Sequence, residues 1–297
     1  MLTRVVYPHL FVVACLVLLT GCKDTTTPVT TTADANSAPD ESKSSNTTRA
    51  DIRPPRDESL YIGDYIVMGV PDEADTWSGS EMKQAEAALL RISLQEFSHL
   101  PRYQSEKSGE VFERLTADDN LDMYRNLALS IDQRIPDALN YLQSSSQILG
   151  LYLEAFDQHA VGGIEIVELR GASLRLCVVI LNLFNEFLPT IDKGDPTYLV
   201  RMNGLKQMRH GTALMVEDHF QVLTESQIYR TSEIKRLVGY MQNTLPEIIP
   251  ELSEGSRSKI LTRLHSLLDD PKMQHLKPEL GALVSAIENS TQPDTSP

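Results

Sequence analysis

From Ser80 onward the apolar positions recur at intervals of three and four residues, the signature of helices that bury one face. Met82, Ala85, Leu89 and Ile92 form one stripe, with Glu81, Lys83, Glu86 and Arg91 elsewhere around the turn. Asp118 or Asp119 can cap a second helix whose stripe is Leu121, Tyr124, Leu127, Ala128 and Ile131. Pro136 suits the first turn of a third helix, faced by Leu139, Leu142, Leu149, Leu153 and Phe156, and Gly162-Gly163 is expected to end it. Further helices are expected at about 164–188, 197–226, 231–249, 256–269 and 278–290, punctuated by Asp195-Pro196, Pro246 with Pro250, Asp270-Pro271 and Lys277-Pro278. Ahead of them, Leu60 to Val70 has β-type composition and reads as a short strand or an extended segment laid on the core.

The stretch Leu174 to Leu188 is apolar on almost every side, and its polar positions 168, 175, 182 and 186 fall on one narrow strip. Such a helix belongs at the centre of a bundle. On the next one, Gly204, Met208, Gly211 and Met215 share a stripe, where methionine fills a core and glycine admits a neighbouring backbone. No fixed-period repeat is present. The fold class expected is therefore all-α, an irregular helical bundle with long central helices, spanning 59–290 and followed by a disordered tail at 291–297.

The N-terminal segment has a different character. Met1 to Arg4 carries one positive charge and is followed by an apolar run from Leu10 to Leu19 that is short for a bilayer span. Leu19-Thr20-Gly21-Cys22 then resembles the lipobox of bacterial lipoproteins. The resemblance, which covers only this segment, implies that residues 1–21 are a signal peptide and that Cys22 becomes the acylated N-terminus of the mature chain. It also implies an extracytoplasmic domain held at the cell envelope. Lys23 in place of Asp favours the outer membrane, facing the periplasm, if the organism has one. One acyl chain binds a membrane marginally, whereas two or three hold almost permanently. Residues 23–58 are mainly Thr, Ser, Asp, Asn and Pro, too polar to bury a core, so 22–58 reads as a lipidated, disordered tether. As a flexible chain the tether has an end-to-end distance of roughly 30–36 Å and a full reach of about 120 Å.

Charge narrows the partners. The 27 Lys and Arg face 41 Asp and Glu, a net charge of −14, or −15 once a leader holding only Arg4 is removed (26 against 41). No nucleic-acid partner is expected of so acidic a chain. With Cys15 in the leader and Cys22 acylated, Cys177 is the remaining thiol, set in Leu-Cys-Val-Val-Ile as a small buried hydrophobe.

No catalytic signature is found: nucleophile elbow, P-loop, H-E-x-x-H, C-x-x-C and G-x-G-x-x-G are all missing, and neither a catalytic residue nor a cofactor is assigned. Glu96-Phe97-Ser98-His99 has the spacing of two ligands of a bundle di-metal site, but such a site needs the motif twice, and Pro101 argues for a helix end. It is assigned no metal. Glu217-Asp218-His219 diverge by about 100° per residue on a helix and read as surface charge. Arg201, Lys206, Arg209 and His210 form a basic cluster that can receive an anion or an acidic partner segment, or pair with carboxylates of neighbouring helices.

These observations lead to the expectation of a membrane-tethered helical lipoprotein acting as a binding, scaffold or envelope-assembly module, with the membrane and a protein as partners. Two alternatives are a carrier of a small apolar ligand in a bundle pocket and a hydrolase of envelope polymers. The first calls for a cavity, the second for converging carboxylates or a Ser/His pair in a cleft.

Overall fold

The computed structural model describes residues 59–291 apart from 73–75, 127–128 and 225–227. The leader, Cys22, the tether and the tail 292–297 lie outside the described residues. The described chain is an all-α bundle with no strand. Its helices are α1 (Ile62–Val67), α2 (Gly79–Gln95), α3 (Gly109–Thr116), α4 (Asp122–Arg125), α5 (Ile131–Asp157), α6 (Gly163–Phe187), α7 (Tyr198–Thr224), α8 (Thr231–Glu251), α9 (Glu254–Asp269) and α10 (Lys277–Thr291).

Neighbours in space follow the order α2, α5, α6, α8, α10, with α6 in the middle. The all-round apolar sequence of α6 is met on its sides by α5, α8 and α7, and Leu174, Leu176, Ile180, Leu183 and Phe184 are buried. The polar strip divides. Asn182 and Glu186 reach solvent, whereas Glu168 is buried, accepting a hydrogen bond from Tyr240 Oη at 2.7 Å and pairing with Arg236. Tyr240 lies so close that a Cβ at Gly171 would sit 2.5 Å from its ring, which is why a glycine faces it.

Carboxylates fix the helix starts. Glu165, three residues into α6, accepts from the Gly162 amide at 2.9 Å, the Tyr103 amide at 3.1 Å and Arg102 Nε at 3.1 Å. One side chain thus satisfies the helix end and ties the 97–103 connection to it. Asp137 on α5 accepts from the Gly79 amide at 2.9 Å and from Tyr124 Oη at 2.7 Å, pinning the start of α2.

Four local expectations are corrected. Residues 60–70 are not a strand: Asp64 accepts from the Tyr61 amide and starts α1, and Gly69, at φ +96°, ends it with Val70 N–H donating to Tyr65 O at 2.9 Å. The helix expected after Asp118 is broken into a 3-10 turn at Asp119–Leu121 and the single turn of α4, and Ile131 opens α5 instead, so Pro136 lies beyond the first turn. Leu127 and Ala128 lie outside the described residues. Gly162-Gly163 does not end α5. His159 does, at φ 58°, with Ala160 N–H donating to Ala155 O, and the two glycines open α6, where a Cβ at Gly163 would collide with Glu233 and Tyr229. Finally, α8 runs through Pro246 and Pro250 to Glu251. Each proline removes one ladder bond, but Ile234, Leu237, Val238, Met241, Leu245, Ile248 and Ile249 are fully buried between α6 and α10 and hold the helix together.

Candidate functional site

Outside the row of five helices, α7 packs against α6 and α9 and also touches α8. This leaves a half-open cleft of about 1090 Å³, walled by α7 and α9 and floored by α5 and α6. That volume lies slightly above the roughly 300–1,000 Å³ typical of small-molecule sites. Leu149, Leu214 and Met215 give the cleft its apolar surface, and Leu214 is 46% exposed there. At Gly255, the second residue of α9, a Cβ would meet nothing within 4 Å.

The hydroxyls around the cleft contribute less polarity than their number implies. Ser146 donates to Leu142 O at 2.9 Å, Ser173 to Leu169 O at 2.9 Å and Thr262 to Ser258 O at 2.8 Å. Each is satisfied one turn back along its own helix, so a hydrocarbon laid against it strands no donor.

Charges sit at the walls. Arg170, buried on α6, reaches across to Asp218 of α7, and its Nε has no hydrogen-bond partner among the described residues. Burial raises the Asp218 carboxyl pKa, but the Arg170 guanidinium lowers it more, so the group stays below the usual carboxylate range. Lys259 of α9 bonds Glu217 of α7 at 2.7 Å, joining the two walls. Arg263 is exposed beside them with no ion pair among the described residues.

The surface reading of Glu217-Asp218-His219 is therefore corrected at His219, which is fully buried. Its Nδ1 lies 2.7 Å from Met215 O and its Nε2 3.3 Å from Arg170 O. The shorter contact fits an Nδ1–H donor. Burial, reinforced by the nearby Arg170 charge, depresses this imidazole to about 4. Helical divergence does separate the three residues, as expected. What sequence spacing could not reveal is that the third direction points into the packed α6–α7 seam.

No Ser/His pair forms in the cleft among the described residues: Ser146 and Ser173 donate to carbonyls, and both His219 nitrogens face carbonyls. The described residues likewise contain no group of three or more potential metal ligands. Glu96 and His99 lie past the end of α2, with His99 in a 3-10 turn and 3.6 Å from Glu96.

The basic cluster of α7 is dispersed by its neighbours. Arg209 pairs with Glu251 at 2.7 Å, and Arg201 lies over the Phe187 ring, 4.7 Å from its centroid. Lys206 and His210 are exposed, and none of the four lines the cleft. Cys177 is fully buried with Sγ 3.6 Å from Met215 Sδ, and burial pushes its thiol up to about 12.

Residues such as Arg170, Leu214, Gly255 and Arg263 were not singled out from the sequence. The available signal was Leu214 itself, a large apolar residue off the Gly204–Met208–Gly211–Met215 stripe. Comparison with protein-family models, with curated proteins and with solved structures finds no match to this chain.

Proposed function

We propose that this chain is a membrane-tethered, extracytoplasmic binding protein, with Cys22 carrying the lipid, residues 23–58 acting as the tether, and the cleft between α7 and α9 holding the ligand. The observation that carries the binding reading is the cleft itself: its half-open form, its apolar surface and the engaged hydroxyls of Ser146, Ser173 and Thr262 suit a guest. Anchoring rests on the lipobox-like Leu19-Thr20-Gly21-Cys22. No described helix is long and apolar enough to cross a membrane, which is consistent with the lipid supplying the attachment. The basic cluster remains a proposed partner contact through Lys206 and His210, with Arg201 and Arg209 already engaged.

Two experiments test this. In cells supplied with labelled fatty acid, the full chain should incorporate label and Cys22→Ser should not; label on the variant refutes the anchoring. With a photoreactive phenylalanine at Leu214, irradiation in cells should give a discrete adduct mass that is missing when the same residue replaces the exposed Val67. Identical adducts from both positions, or none from Leu214, refute the cleft as the site.

A further inference from the structure

Resting on the reading of the cleft as the binding site, we infer that its ligand is a free long-chain carboxylate: a single hydrocarbon chain lying between α7 and α9 with its anionic head at Arg170, Lys259 and Arg263. Three properties of the cleft converge on this chemistry. The first is the size of the cleft and the polarity of its walls. Leu149, Leu214 and Met215, together with hydroxyls that donate to their own helices, line a cleft of about 1090 Å³. A chain laid along Leu149, Leu214 and Met215 gains burial at its methylenes and strands none of the Ser146, Ser173 and Thr262 hydroxyls.

The second is charge. In a protein of net charge −14, this lining carries three cations, Arg170, Lys259 and Arg263, against two anions, Glu217 and Asp218, with His219 neutral near pH 7. With Arg170 paired to Asp218 and Lys259 to Glu217, Arg263 is the uncompensated cation among the described residues of the lining, a single positive excess on a negative molecule that favours an anionic head.

The third is an unmet donor. Arg170 is 4% exposed, has a carboxylate at one terminal nitrogen and an unpartnered Nε. A buried guanidinium presents a fork of donors that matches a carboxylate, and Asp218 engages only part of it. Arg263, exposed and with no ion pair among the described residues, gives the head a second cation at the rim. A neutral head would leave Arg263 without a counter-charge, and a cationic head would oppose it.

The test uses the full lipidated chain in discs of neutral phosphatidylcholine, so that membrane attachment is retained and the surrounding bilayer carries no anionic competitor. A hexadecanoic acid with a mid-chain diazirine is photolysed, and adducts are mapped by peptide mass spectrometry. Adducts are expected on the α7 segment holding Leu214 and Met215 and on the α9 segment from Gly255 to Arg263. Saturated acids should compete, with potency rising by roughly fourfold per added methylene until the chain fills the cleft. Hexadecanol should compete poorly.

Gly255→Phe, which has open space for its ring, and Leu214→Trp should each remove the adducts while the chain keeps its far-ultraviolet circular dichroism. Arg263→Glu should lower the yield by roughly threefold or more, with Arg263→Lys restoring it. If hexadecanol competes as well as the acid, the anionic assignment fails while the cleft stands. If the Leu214 photoadduct in cells is a peptide and the diazirine acid labels neither α7 nor α9, the amphiphile assignment fails and a protein partner occupies the cleft. Labelling confined to segments outside the cleft overturns the inference as well.

Discussion

Acidifying this protein from pH 7 to pH 4 should remove about 3 kcal/mol of stability through one side chain, His219. The imidazole is fully buried between α6 and α7, with Arg170 close by, and both features resist a positive charge. Asp218 and the Met215 and Arg170 carbonyls act in the opposite sense, but the net result in the fold is a value depressed to about 4 from 6.5. Between those two values the unfolded chain binds a proton that the folded chain refuses, so acid favours unfolding. The contribution is complete above pH 6.5, declines as pH falls toward 4, and changes no further once both states are protonated. At roughly 1.4 kcal/mol for each tenfold change in proton activity, the interval amounts to about 3 kcal/mol. Asp218 is itself held below the usual carboxylate range, so its charge persists through most of this window.

The measurement is urea unfolding at several values between pH 4 and pH 8, followed by the fluorescence of Trp77, the only tryptophan and fully buried. His219→Gln is the reference, because other acid-sensitive carboxylates act equally in both proteins and cancel in the difference. The wild-type protein should lose about 3 kcal/mol more than the variant over this range. Parallel profiles would mean that His219 takes up a proton in the fold as readily as in water, and would refute the buried, neutral imidazole.

Four further outcomes follow from the packing. Leu183→Ala on the central helix, where Leu183 is 3% exposed, should cost about 2–5 kcal/mol in chemical denaturation; an unchanged midpoint would place α6 at the periphery. Gly171→Ala must displace the Tyr240 ring, which sits 2.5 Å from the new carbon, and should cost about 1–3 kcal/mol, with Tyr240→Ala suppressing the difference in a double-mutant cycle. Glu165→Ala should cost about 3–5 kcal/mol by leaving Arg102 buried without its carboxylate, whereas Arg102→Met with Glu165→Met together should cost less than the sum of the single changes. Cys177 should stay unmodified by thiol reagents at pH 8 until the protein unfolds.

Helix existence and order were determined by local information. The 3.6-residue period of Met82 to Ile92, the all-round apolar character of Leu174 to Leu188 and the proline boundaries near 196, 271 and 278 each reside in a short window, and the structure places helices there within a few residues. Where the local signal failed, a tertiary contact outweighed it. Pro246 and Pro250 cost ladder bonds, but α8 has neighbours on two sides and the burial of its stripe exceeds that loss. Gly162 and Gly163 carry the composition of a helix end, and only the approach of Tyr229 and Glu233 shows that they are needed at a helix start.

The cleft was legible least of all, because no part of it is local. Arg170, Leu214 and Arg263 come from three helices and share no spacing in the sequence. They meet because α7 packs across α6 and α9, an arrangement fixed by which helical faces find partners. For the same reason spacing misplaced His219, which is buried in a seam, and left Arg209 open between an anion and a neighbouring carboxylate, of which it holds the second, Glu251. Charge, period and capping are properties of a chain read a few residues at a time, whereas burial and ion pairing depend on what the other helices bring alongside.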